Sequence, residues 1–424
     1  MEINRYILFA LAAMPAAAGM AQSRSMTIDE ADSIAVRNNL QLRAVRLDVD
    51  AAEGQLAQAR KYENPEVQLM HNVQNPENRR WFDTGREGQT DIQLAQPIAI
   101  GGQRRSRVRR AEAELNAARA GCDAAALEVR CDVRTTFIDL YNAQQKLKVY
   151  DKEIASAEKI HTVYSEQTDK GNVSRMQTFR IAAMLQQLRS EKAELLLSAS
   201  GHQARLGQLL GISGTEAIEA RLDEGAAIRV VEQSLAGMQP LMMQPTPELL
   251  RGMVQANPGI IQAKHQEEGA RHAVRAERAD ALPRITLNGE WDKNGSIGHN
   301  FFAVGATLTV PLWNRNQGNI RSAKVQHAQA AIERQQKEDE LLATLLAAYR
   351  AARQNQRLVE EQKQLSADLD SLFDAAEEQF LKRNISVVEF VDLYASYRDT
   401  KFQIEDTKAQ LLKNSEELRK YITK

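Results

Sequence analysis

The sequence predicts a mainly α-helical chain with a small β part, built from two similar halves. Three observations support this: proline is missing from two long stretches, apolar residues recur at heptad spacing, and paired prolines enclose short alternating segments. Among the 424 residues, 26% are charged and 5% are aromatic, a composition that suits long helices. A formal charge of −1 gives no electrostatic reason to expect a nucleic-acid partner, and two cysteines exclude a disulfide scaffold.

The N-terminus predicts a secretory signal peptide over residues 1–21. Arg5 precedes the apolar run Ile7–Ala13, which Pro15 breaks, and small residues ending at Ala21 follow. The alternative interpretation is a buried helix. No later segment has 18 unbroken apolar residues, so the exported chain is expected to be periplasmic, secreted or an outer-membrane β-barrel.

Two stretches are free to form very long helices. No proline occurs between Pro97 and Pro240 or after Pro311, and no glycine follows Gly318. Heptad seams run along both stretches, and a period of 3.5 residues indicates helices packed lengthwise on other helices. The seams contain Val133, Leu140, Leu147 and Ile154, and Phe390, Tyr397, Ile404, Leu411 and Leu418. The first long helix, 105–167, would measure roughly 90 Å.

Each long stretch has one interruption, which predicts a helical hairpin with a tight tip. The tips lie at about 169–174 and 382–386, where Gly171 and Asn384 are the residues expected to adopt left-handed backbone angles. Ser174 with Gln177, and Ser386 with Glu389, fit the capping box that begins the next helix. The two tips contain Gly171, Asn172, Ser174, Arg383, Asn384 and Ser386.

The two halves repeat one plan roughly 210–220 residues apart, as a gene duplication would produce. The predicted first repeat is 22–211, the second is 246–424, and 212–245 forms a linker or equatorial segment. Between paired prolines, apolar and polar residues alternate, which predicts a β-hairpin at about 66–98 and another at about 284–311. The alternating residues include Val67 and Leu69, Ile92 and Leu94, Ile285 and Leu287, and Phe302 and Val304.

Alternating strands of about ten residues match an outer-membrane barrel, although a small soluble antiparallel sheet is the alternative. Four strands per chain cannot close such a barrel, because open edges in lipid leave backbone groups unpaired. The expectation is therefore a trimer with a shared β-barrel that is continuous with a tube of long helices.

Two strand-to-helix junctions carry a family resemblance. The first reads Gln96-Pro97-Ile98-Ala99-Ile100-Gly101-Gly102-Gln103, and the second reads Val310-Pro311-Leu312-Trp313-Asn314-Arg315-Asn316-Gln317-Gly318. Together with the duplicated plan, these junctions resemble those of the TolC-like outer-membrane efflux factors. Their residues are most similar to those of the heavy-metal (cobalt-zinc-cadmium or copper) branch. The resemblance marks Pro97, Gly101, Gly102, Pro311, Trp313 and Gly318 as junction residues.

The resemblance implies a homotrimeric exit duct in the cell outer membrane that extends into the periplasm. Its β-barrel would contact outer-membrane lipid. The helical tips would meet a periplasmic adaptor (membrane fusion) protein and an inner-membrane resistance-nodulation-division (RND) pump. No nucleic acid, cofactor or resident metal is implied, and no chemistry is expected on this chain.

The resemblance also implies an acidic ring at the periplasmic entrance, for which Glu389 and Asp392 are the matching residues. Like charges brought together raise each other's pKa and attract cations. A structural interpretation competes: Glu389 is the capping partner of Ser386, and Asp392 is a first-turn acid favoured by the helix dipole. Gln177 stands where the first hairpin of the best-known family member has an acid, which weakens the case for a salt-bridge lock.

Other polar groups leave alternatives open. A basic cluster follows the first β-hairpin and could contact lipid phosphates or form a solvated or inter-subunit face. It contains Arg104, Arg105, Arg107, Arg109 and Arg110. Cys122 and Cys131 lie nine residues apart on one predicted helix, too far for a mutual disulfide, although pairing between subunits stays open. The histidines are scattered, and enzyme motifs such as a phosphate loop or a nucleophile elbow are missing.

The favoured cargo is heavy-metal cations, with drugs, hydrophobic compounds or type I secreted polypeptides as the alternative for the same fold. A different class of protein, a soluble periplasmic coiled-coil scaffold, would explain the long helices. It does not explain four lipid-length alternating strands.

Overall fold

The structure is a computed structural model that describes residues 24–75, 78–212, 216–243, 247–295 and 298–421. The predicted signal peptide, 1–21, lies outside the described residues. The helices are α1 Ile28–Asn38, α2 Leu40–Ala59, α3 Gln103–Asp169, α4 Arg175–Leu210, α5 Glu224–Met243, α6 Pro247–Val254, α7 Pro258–Asp280, α8 Gln317–Leu381 and α9 Val387–Arg419. The strands are β1 Arg24–Thr27, β2 Glu66–His71, β3 Thr90–Ile98, β4 Ile218–Arg221, β5 Arg284–Gly295 and β6 Gly298–Thr309.

These elements confirm the predicted fold class, mainly helical with a small sheet of four longer strands. No helix within the described ranges is apolar over a stretch long enough to cross a membrane. The described residues form two compact units. The tip unit comprises 24–38, 132–229 and 358–410, and the sheet unit comprises 39–131, 230–357 and 411–421.

The sheet unit contains four antiparallel strands in the order β2-β3-β5-β6. The register places the alternating apolar residues on one face: Ile92 lies opposite Leu69 and Trp291, and Trp291 lies opposite Phe302. This face is open, since Val304 is 94% exposed. The opposite face is polar and includes Gln93 paired with Glu290. Because successive side chains of a strand point to opposite faces, one face of the sheet carries apolar side chains that suit lipid and the other face carries polar ones.

The core of the tip unit is a layer of aromatic and aliphatic side chains between two helical hairpins. Phe380 and Phe390 are fully buried, with ring centroids 4.0 Å apart. Phe390 contacts Tyr394 at 4.3 Å, and Phe373 contacts both Tyr394 and Tyr397. Burial of large rings at heptad positions holds α3, α4, α8 and α9 together.

Segment 212–245 contains elements that the sequence did not predict. Strand β4 pairs in parallel with β1, with Arg24 opposite Ile218 and Thr27 opposite Arg221, and helix α5 follows. Strands of four residues carry almost no periodic signal, and their pairing joins segments distant in the sequence. Strands β5 and β6 each have 12 residues, longer than the expected length of about ten.

Candidate functional site

The first hairpin tip, where α3 ends and α4 begins, is a tight turn closed by backbone hydrogen bonds. Gly171 has a φ of +77°, and its N–H donates to the Thr168 carbonyl at 2.9 Å, while the Asn172 N–H donates to the Gln167 carbonyl at 2.9 Å. This pair of bonds satisfies carbonyls that a helix end leaves open. Ser174 then caps α4: its hydroxyl accepts from the backbone, and its N–H donates to Gln177 Oε1 at 3.3 Å.

The second tip repeats the turn but corrects one prediction. The left-handed residue is Arg383, with a φ of +63°, and not Asn384. The Arg383 N–H donates to the Phe380 carbonyl at 3.0 Å, and the Asn384 N–H donates to the Gln379 carbonyl at 2.9 Å. Arg383 therefore occupies the position of Gly171, because the hydrogen-bond pattern and not the residue type sets which position turns. A side chain in that region is strained.

The predicted gate residues lie on exposed surface just beyond the tips. Glu389 completes a capping box, since the Ser386 N–H donates to Glu389 Oε2 at 2.8 Å and the Glu389 N–H donates to Ser386 Oγ at 3.2 Å. These hydrogen bonds from the Ser386 backbone and side chain lower the pKa of Glu389. Asp392 is exposed one turn further along α9, and Gln177 is exposed in the first turn of α4. The carboxylate of Asp392 has no ion-pair partner within the described chain.

The two strand-to-helix junctions share one geometry. Gly102, at φ +78°, precedes Gln103 at the start of α3, and Asn316, at φ +58°, precedes Gln317 at the start of α8. In both, the glutamine Oε1 accepts from the N–H two residues earlier, at Gly101 (3.0 Å) and at Arg315 (3.1 Å). The same local solution at matching places in the two halves supports a duplicated origin.

The other predicted junction residues play different parts. A Cβ on Gly101 would lie 2.7 Å from Leu282 Cδ1, so a side chain does not fit there without movement. Pro97 lies in β3 opposite Thr286, and Pro311 follows the end of β6. Trp313 is 89% exposed. Gly318, in the first turn of α8, has open space where a Cβ would be.

Within the tip unit, the structure reveals a buried polar cluster between the hairpins that the sequence analysis missed. The Ser156 hydroxyl lies 2.5 Å from both Glu377 Oε2 and the Tyr394 hydroxyl. The Tyr397 hydroxyl donates to Asp370 Oδ1 at 2.7 Å. Hydrogen bonds thus join α3, α8 and α9 across an otherwise apolar core.

Glu153 is the most unusual member of this cluster. It is fully buried, and neither carboxylate oxygen has a hydrogen-bond partner within the described chain. Desolvation raises its pKa to about 8, against a smaller opposing effect of Arg398. Arg398 itself binds Glu191 Oε2 at 3.0 Å. A signal was present in the sequence: Glu153 lies three residues after Tyr150 and four before Ala157, on the apolar seam.

Both cysteines lie in the sheet unit as thiols, with no disulfide between them. Cys122 is half-buried, and Cys131 is buried with its Sγ 3.4 Å from Glu417 Oε2. Burial raises the pKa of the Cys131 thiol to about 12, so this thiol is a poor nucleophile at neutral pH.

Comparisons with known proteins define the class. The family model described as "Outer membrane efflux protein" matches residues 33–212 and 249–423. The cobalt-zinc-cadmium resistance protein CzcC of Cupriavidus metallidurans is 24% identical over 70% of this chain and 66% of its own length. The nickel-cobalt-cadmium resistance protein NccC of Alcaligenes xylosoxydans xylosoxydans is 24% identical over 68% of this chain and 61% of its own.

Among solved structures, one described as CusC has a TM-score of 0.74 at 17% identity, covering 93% of this chain and 91% of that chain. The matched segments span less than two thirds of the length of the curated metal-resistance relatives. The family match nevertheless covers most of the residues on both sides of the linker. The chain belongs to the outer membrane efflux protein family.

Membership confirms the predicted resemblance and the predicted location in the outer membrane. The family is one of efflux proteins and not of enzymes, in agreement with the missing catalytic motifs.

Proposed function

We propose that this chain is the outer-membrane exit duct of a tripartite efflux system and exports heavy-metal cations. The observation that carries the proposal is the four-stranded sheet, with one exposed apolar face, one polar face and two open edges. A sheet of this kind fits a pore wall between lipid and water.

We expect the two open edges of the sheet to pair with strands of other copies of the chain. In the described residues, β2 and β6 each pair on one side only. An unpaired edge in hydrocarbon leaves backbone groups without partners at a cost of several kcal/mol each, so β6 of one copy is expected to pair with β2 of the next. Three copies supply twelve strands, and the repeats at 22–211 and 246–424 would alternate around the axis.

The hairpin tips are proposed to meet a periplasmic adaptor and an inner-membrane RND pump. Tip residues Gly171, Asn172, Ser174, Arg383, Asn384 and Ser386 are all exposed. In a trimer, Glu389 and Asp392 would contribute six carboxylates at one constriction, with Gln177 nearby. Asp392 is the stronger gate candidate, because the carboxylate of Glu389 is already engaged by the Ser386 backbone.

The choice of cargo draws on the relatives. Two are named for resistance to cobalt, cadmium, zinc or nickel. An acidic entrance also suits cations, because carboxylate rings raise the local cation concentration.

A deletion strain tests this proposal. We expect loss of the gene to lower tolerance of cobalt, zinc and cadmium, with unchanged tolerance of antibiotics and detergents. Plasmid-borne wild type should restore tolerance, and Asp392→Asn should restore it only partly at equal expression. Asp368→Asn, an exposed acid on α8, is the matched control. Unchanged metal tolerance with lost drug tolerance would assign the duct to drugs or other hydrophobic compounds.

A further inference from the structure

A basic cleft lies in the sheet unit where β3 gives way to α3. It has a volume of about 960 Å³ and lies between the end of α2, the end of β3 and the first turns of α3. Six basic side chains line it against two acidic ones. The basic residues are Arg60, Lys61, Arg104, Arg105, Arg107 and Arg109, and the acidic residues are Glu63 and Glu112.

The two carboxylates neutralise only part of this charge. Glu63 binds Arg107 at 3.1 Å, and Glu112 binds Arg60 at 3.3 Å. The remaining four basic residues have no carboxylate partner among the residues that the structure describes. They are Lys61, Arg104, Arg105 and Arg109. Four uncompensated charges in one concave surface create a positive potential that attracts anions.

Arg104 is held in place by the wall of the cleft. Its Nε and Nη2 donate to the Arg60 carbonyl at 3.1 and 2.9 Å, and its guanidinium lies 4.1 Å from the centre of the Tyr62 ring. These contacts use only part of the five-donor fork and fix its plane. A fixed guanidinium with spare donors is pre-organised to bind phosphate oxygens.

The cleft is continuous with the apolar face of the sheet. Ile98 lines the cleft. It lies an even number of residues along β3 from Ile92 and Leu94, so all three side chains are on the same face of the sheet, where they are exposed. Pro97, Ala99 and Val108 add further apolar lining. An anionic headgroup in the cleft would therefore leave its hydrocarbon chains against side chains that are themselves suited to lipid.

We propose that this cleft binds the phosphate of an anionic phospholipid at the helix-proximal end of the sheet. Arg104, Arg105 and Arg109 would hold the phosphate group, and Ile98 would mark the level at which the acyl chains begin. The site would anchor the sheet at a defined depth in the membrane. It does not depend on which cargo the duct carries.

The test uses the purified full-length protein in a neutral detergent, with a thermal-shift titration as the readout. Three probes separate the components of the ligand: dioctanoyl phosphatidylglycerol, dioctanoylglycerol without phosphate, and inorganic phosphate. The double variant Arg105→Gln/Arg109→Gln removes two exposed charges, and Arg350→Gln/Arg357→Gln on α8 is the matched control. Arg105→Gln alone removes one of these charges and serves if the double variant does not fold.

We expect phosphatidylglycerol to bind and the phosphate-free lipid not to bind at the same concentration. The double variant should bind phosphatidylglycerol at least about tenfold more weakly, since each basic residue near an anionic lipid contributes about 1 kcal/mol. The control variant should bind like wild type, and Arg105→Gln alone should bind phosphatidylglycerol about fivefold more weakly.

Three results would overturn the proposal. Equal affinity for inorganic phosphate and phosphatidylglycerol would mean that the cleft binds free anions. Undiminished lipid binding by the double variant would exclude these arginines. Loss of the oligomer with unchanged lipid affinity would assign the cluster to contacts between copies of the chain.

Discussion

Replacing Glu153 with glutamine is the most informative perturbation of the helical tip unit. The carboxyl group is fully buried on α3, and its oxygens lack hydrogen-bond partners in the described residues. Burial is the largest influence on its pKa, followed by the opposing charge of Arg398 and the like charges of Glu191 and Asp399. Arg398 is already bound to Glu191, so it compensates a charge on Glu153 only weakly.

The magnitude follows from the ordinary carboxyl pKa of 4.5 and the folded value of about 8. The folded state keeps its proton while the unfolded state loses it, so the stabilising effect is fully present below pH 4.5. It is lost as the pH rises through about 8. One pH unit in this window corresponds to about 1.4 kcal/mol, so the total loss of unfolding free energy is roughly 5 kcal/mol. Glu153→Gln keeps the shape and cannot ionise.

The assay is the melting temperature of purified wild type and Glu153→Gln in detergent from pH 5 to 9. The two proteins should melt within a degree or two of each other at pH 5, and the variant should be clearly more stable at pH 8.5. Glu166→Gln, an exposed position on the same helix, should follow wild type throughout. Parallel curves for wild type and Glu153→Gln would refute the reasoning. An infrared carboxyl band that titrates near pH 8 offers an independent check.

Three further substitutions test the hairpins by thermal unfolding. Arg383→Gly should stabilise the tip by about 1 kcal/mol, because glycine adopts the left-handed backbone angle without strain. Arg357→Gly, within α8, should instead destabilise the protein, because glycine weakens a helix interior. A lower melting temperature for both variants would contradict the strain argument. Phe390→Ala should cost about 3–5 kcal/mol because the ring is fully buried, and an unchanged melting temperature would exclude it from the core. Ser174→Ala should cost about 1 kcal/mol through the lost cap, with Ser174→Asp retaining most of the stability.

The long helices could be predicted because their determinants are local or periodic. The seam through Val133 and Leu140 and the absence of proline predict α3, and the capping residues Ser174 and Ser386 mark where α4 and α9 begin. The alternation of apolar and polar residues likewise predicts β5 and β6, because every second residue of a strand, such as Leu287, lies on the same face of the sheet. These patterns depend only on neighbours within a few residues.

The remaining features depend on contacts between distant segments. The pairing of β1 with β4 joins residues almost two hundred positions apart, and no pattern in either four-residue strand specifies the partner. Arg383 adopts the left-handed angle because the Phe380 and Gln379 carbonyls need donors there, although its residue type disfavours it. Helix periodicity placed Glu153 on the apolar seam. Only packing of α4, α8 and α9 around it removed its water and so raised its affinity for a proton.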